Sequence, residues 1–138
     1  MKKLAVGIIV TILVVSGGAF IYKKATGPKI PKGFISKSID KVGKPVDITN
    51  TFSINYNSVY FSAKPENIFT KKAKVIWYKE EVSSKNRIKV DENISLKDGY
   101  FTSEFSAPEG LKEGKYFVSI YANDSDITET THEFEVKN

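Results

Sequence analysis

Along most of this chain apolar and polar residues alternate in runs too short to make a helix face, and that alternation narrows the fold more than any other feature. Phe52-Ser53-Ile54-Asn55-Tyr56 alternates cleanly, and 59–63, 74–79, 88–90, 94–96, 101–105, 115–121 and 130–136 follow the same period of two. Successive side chains of a strand point to opposite faces, so each run offers one face to a core and one to water. Turn formers separate the runs: Lys64-Pro65-Glu66-Asn67, Asp91-Glu92-Asn93, Lys97-Asp98-Gly99 and Asn123-Asp124-Ser125-Asp126. A first short strand is expected within 34–39. About seven to nine short strands in about 100 residues predict an all-β fold, an antiparallel β-sandwich. Nine Phe, seven Tyr and one Trp give it enough bulk to fill a core without disulfides or a metal.

The N-terminus is of another kind. Met1-Lys2-Lys3 leads into residues 4–22, which carry no charge and end at Lys23-Lys24. As a helix this stretch reaches ~28 Å, close to the hydrocarbon thickness of a bilayer. Ser16-Gly17-Gly18-Ala19 would suit a signal peptidase, but apolar Ala19-Phe20-Ile21-Tyr22 continues to the double lysine, which favours an uncleaved anchor in membrane lipid. Either reading exports the rest of the chain: a single-pass cell-membrane protein with its C-terminal domain outside the cytoplasm, or a secreted one if the segment is cleaved. Lys23, Lys24, Lys29 and Lys32 pull against that orientation. Gly27-Pro28, Pro31, Gly33 and Gly43 among lysines suggest a stalk, so the expected division is an anchor at 1–22, a basic stalk at 23–44 and a sandwich domain at 45–138.

The formal net charge of +5 follows that division. Residues 1–22 contribute +2, 23–44 contribute +6, and 45–138 contribute −3. Basicity belongs to the membrane flanks, where lysines meet anionic headgroups, and a mildly acidic domain is a poor nucleic-acid binder. Absent cysteine excludes disulfides, thiolate metal sites and thiol nucleophiles. His132, the single histidine, alternates with Thr130, Phe134 and Val136 and has no nucleophile motif beside it, which points to the edge of a core. Asp91-Glu92-Asn93, and Asn123-Asp124-Ser125-Asp126 with Glu129, offer oxygens to a hard cation, but without the spacing of a calcium loop they read as turns. Adjacent Glu80 and Glu81 would point to opposite faces of a strand and so cannot act as an acid/base pair. No catalytic, cofactor or metal site is expected.

Leu111-Lys112-Glu113-Gly114-Lys115-Tyr116 is a Leu-x-x-Gly-x-Tyr run just ahead of a strand, and Trp77 sits within Val75-Ile76-Trp77-Tyr78. Here the chain resembles immunoglobulin-like and fibronectin-III-like sandwiches of bacterial cell-surface type. In their tyrosine corner the hydroxyl bonds back to upstream backbone, and a core Trp lies on a central strand. The resemblance covers about 45–138 and implies a fold and not an activity.

If Trp77, Tyr116, Val118 and Ile120 point inward, Ile76, Tyr78, Phe117 and Tyr121 must point outward together. Four large side chains on a nominally solvated face make a possible interaction face, unless the segment around Phe34 and Ile35 or a long loop covers it. The expected function is a non-enzymatic binding module with a protein partner, a glycan being the lesser option. The alternative is a structural spacer or accessory subunit of a cell-envelope complex.

Overall fold

A computed structural model describes residues 30–66, 70–122 and 125–138. The expected anchor at 1–22 and stalk residues 23–29 lie outside these, as do Asn123 and Asp124 of the acidic turn. The described residues form an all-β fold of nine strands in two sheets: β1 (Lys32–Ile39), β2 (Pro45–Ile48), β3 (Thr51–Ser53), β4 (Ser58–Lys64), β5 (Lys72–Lys79), β6 (Arg87–Ser95), β7 (Phe101–Ser106), β8 (Gly114–Ala122) and β9 (Thr128–Lys137). One sheet has the order β2-β1-β4-β7 and the other β3-β9-β8-β5-β6. All pairings are antiparallel except β3 with β9.

The period of two does its work best on the central strands. From β5 Ala73, Val75 and Trp77 enter the core; from β8 Tyr116, Val118, Ile120 and Ala122; from β4 Val59, Phe61 and Ala63. Each large side chain so buried contributes roughly 1.5–3 kcal/mol of transfer free energy. Phe134 is the hub: it stacks on Tyr116 with centroids 5.0 Å apart and meets Phe52 and Trp77 edge-on at 5.6 and 6.1 Å. The Tyr116 hydroxyl donates to the Lys112 carbonyl at 2.6 Å, the backward bond that the Leu-x-x-Gly-x-Tyr run implies.

Three boundaries differ from expectation, each for a physical reason. The stalk does not run to residue 44: β1 pairs with both β2 and β4, and Ile35 is in the core, while Lys32 projects into water and the Lys37 ammonium lies 5.1 Å above the Tyr56 ring. Residues 88–90 and 94–96 are not two strands but one, β6, because Asn93 takes a φ of 55° and absorbs an irregularity that would otherwise need a turn. Glu80 lies beyond the end of β5 with φ 72°, so Glu80 and Glu81 share no strand.

The first sheet also folds over itself. Pairing of β1 with β4 stops at Ser36↔Tyr60, and the turn after β1 then swings across the outside of the sheet. Gly43 arrives so close to β7 that an added Cβ would lie 3.0 Å from Thr102 Cγ2 and 3.2 Å from Tyr100 Cβ. Its φ of 90° is a second reason for glycine there. Ser36 and Ser62, which face away from the opposite sheet, are fully buried as a result.

Chain entry and exit are far apart. The Ile30 amide donates to Glu129 Oε1 beside the start of β9, whereas Asn138 follows the end of that strand.

Candidate functional site

β5 and β8 are neighbours, with Tyr78 opposite Phe117, Ile76 opposite Ser119 and Lys74 opposite Tyr121. Cross-strand partners share a face, so Ile76, Tyr78, Phe117 and Tyr121 come together on the outside of the second sheet, as their alternation implies. Their exposure divides them. Ile76 and Tyr78 are only 2% and 3% exposed, although neither belongs to the inter-sheet core, while Phe117 and Tyr121 are half-buried. Val90, paired with Ile76 from β6, and Ile88 two residues before it remain exposed. The accessible apolar surface is therefore Phe117, Tyr121, Val90 and Ile88, with Ile76 and Tyr78 as its floor. The cover expected from Phe34 and Ile35 does not occur, because β1 belongs to the other sheet.

A polar spine organises this face. The hydroxyls of Tyr78 and Tyr121 lie 3.4 Å apart, and the Lys74 ammonium sits 4.9 Å above the Tyr121 ring. Burial, then the Tyr121 contact, raises the Tyr78 pKa. Burial also acts to raise that of Tyr121, but hydrogen bonds from Thr128 and Tyr78 and the charges of Lys74 and Arg87 outweigh it and pull the value down. On the same face Ser119 Oγ and Thr131 Oγ1 meet at 2.7 Å.

A second feature lies where the sheets meet beside β1 and β9. Val118 pairs with His132, which turns His132 inward, and its ring stands 5.6 Å from Phe61. Its Nε2 is 3.0 Å from Thr130 Oγ1. A cleft of about 410 Å³ opens here, lined by Phe34, Ile48, Asn50, His132 and Glu133 among others. Nothing in a lone histidine signalled this cleft, which depends on strand order.

Burial lowers the His132 pKa from its ordinary 6.5. The folded state then holds fewer protons than the unfolded one as pH falls through 6.5, so this group's contribution to stability declines below that pH and levels off under the folded-state value. Melting temperatures at stepped pH are expected to fall over that window, and His132→Asn to flatten the fall. An unchanged slope in the variant would assign the dependence to other groups.

Two of the acidic candidates have other partners. Asp91 accepts a hydrogen bond from Ser103 and pairs with Lys89 at 3.6 Å, and Glu129 accepts from the Ile30 amide. Among the described residues no three carboxylate or histidine side chains are grouped to hold a metal ion. No family model matches the chain, and no curated protein matches it.

Proposed function

We propose that this chain is a non-enzymatic interaction module of immunoglobulin-like architecture, tethered by residues 4–22 to a membrane and displayed outside the cytoplasm, where it engages a protein partner. The strand order supports the architecture: a parallel β3–β9 pair at one edge of a β3-β9-β8-β5-β6 sheet, facing β2-β1-β4-β7, with Trp77 on an inner strand and the Tyr116–Lys112 bond. The uncharged 4–22 stretch supports the tether.

The observation that carries the contact surface is the outer face of the second sheet. Phe117, Tyr121, Val90 and Ile88 surround a floor already closed to water, so little side-chain entropy remains to be lost there on docking. Lys74 and Arg87 supply a polar rim, the usual anatomy of a protein contact.

A photo-crosslinking residue placed at Val90 in the native membrane tests this. The expected result is a discrete adduct with one protein, lost when Phe117 and Tyr121 are both changed to Ser, and absent when the probe sits at exposed Val82. Adducts of equal yield from both positions would sink the assignment. Protease added to intact cells tests the display: the domain should be degraded without lysis.

A further inference from the structure

Two strand edges face the cleft between β1 and β9, and among the described residues no strand pairs with them. β2 takes up β1 only from Ser36, and β3 takes up β9 only from Glu135, so among the described residues no strand pairs with residues 32–34 of β1 or residues 130–134 of β9 on that side. The direction of their backbone groups follows from the ladders. Glu135 N donates to Asn50 O at 2.9 Å, away from β8. In an antiparallel strand every second residue points its N–H and C=O the same way, so Glu133 and Thr131 present theirs to the cleft. Thr49 N donates to Ile35 O at 3.0 Å, which turns Gly33 toward the same space from the other wall.

We propose that this seam binds an extended, basic segment of a partner protein by strand addition to the free edge of β9, in line with β3. Main-chain hydrogen bonds to Thr131 and Glu133 supply the affinity, as in other strand-addition complexes. Charge selects the occupant: the cleft and a neighbouring hollow of about 280 Å³ share Asn50 and Glu133, and Glu133 and Glu135 are the charged residues among their described linings. Glu135 also lies 3.9 Å from Lys137, which leaves Glu133 as the main attraction. Side chains of the added strand alternate. Those beside Glu133 on the outer face are Lys or Arg, and those turned inward are small, because the space between Gly33 and His132 is so tight that a Cβ at Gly33 would stand 2.6 Å from Nε2.

This seam adjoins the aromatic face through the Phe117–Glu133 pair, but its contacts run through the β9 backbone, so the two proposals are tested by different variants. The full chain in lipid nanodiscs is titrated with a capped Lys-Ala-Lys-Thr-Lys-Ala-Lys peptide, its Glu counterpart, and a version N-methylated at alternate amides. Amide exchange at Thr131 and Glu133 is read by NMR. The lysine peptide is expected to slow exchange at both amides, the other two peptides not to, and Glu133→Lys to weaken binding by about tenfold, or 1.4 kcal/mol. Val90→Asp, on the aromatic face, should leave the titration unchanged. Protection elsewhere, equal binding of the glutamate or N-methylated peptide, or no binding at millimolar concentration would overturn the proposal.

Discussion

Trp77→Ala is expected to destabilise the fold by about 3–5 kcal/mol, the cost of emptying a large buried aromatic site. Trp77 is fully buried and lies between Phe105, at 5.8 Å, and Phe134, at 6.1 Å, so neighbours from both sheets lose contacts at once. A second loss is polar. Trp77 Nε1 donates to Ser103 Oγ at 2.9 Å, Ser103 donates to Asp91, and Lys89 holds Asp91 and reaches the Glu104 carbonyl. This chain of bonds closes the edge of the sandwich where β6 passes β7. Ser103→Ala breaks it with little change in volume, leaving a buried indole N–H unpaired, and should cost about 1–3 kcal/mol. Because Trp77 is the chain's single tryptophan, denaturation of Trp77→Ala has to be followed by far-ultraviolet circular dichroism. A midpoint within error of the parent would mean that the core repacks without it.

Gly33→Ala should cost about 1–3 kcal/mol, as overpacking does in a filled core. The added methyl would stand 2.6 Å from His132 Nε2 and 2.8 Å from Phe61 Cζ. Neither ring has an easy retreat: Phe61 is fully buried, and His132 is held by Thr130. In a double-mutant cycle, His132→Ala should recover part of the loss, with a coupling of at least about 0.5 kcal/mol, while the clash with Phe61 persists. Additive effects would show that His132 does not confine Gly33. The same cycle probes the cleft, since the glycine keeps its wall low enough for a neighbouring chain to approach.

The reach of sequence reasoning here follows from what alternation can encode. β5 and β8 pair without a break in register, so placing Trp77 and Tyr116 inward made both inner and outer sets legible, and the pairing of Tyr78 with Phe117 follows once the strands are neighbours. β1 was half hidden because its lysines look like stalk, and Lys37, which shares the inward parity of Gly33 and Ile35, breaks the apolar pattern of that face. β2 begins with Pro45 and is four residues long, too short for any period to show. Cover over the outer face was a legible alternative, but the division of that face into closed Ile76 and Tyr78 and half-open Phe117 and Tyr121 was not. Alternation says which face a side chain takes, whereas solvent access on that face depends on how rings from other strands settle over it. Bare strand edges are further still from the sequence, because they come from which strands fail to meet.

The separation of Ile30 from Asn138 has a mechanical consequence. From Glu129, beside Ile30, to Asn138 is nine residues, about 30 Å along the strand axis at ~3.3 Å each. A pull between Ile30 and Asn138 loads the β1–β4 and β8–β9 ladders lengthwise, at right angles to antiparallel hydrogen bonds. Those bonds must then give way together in shear, whereas points of pull at one end of the strands would let them unzip singly.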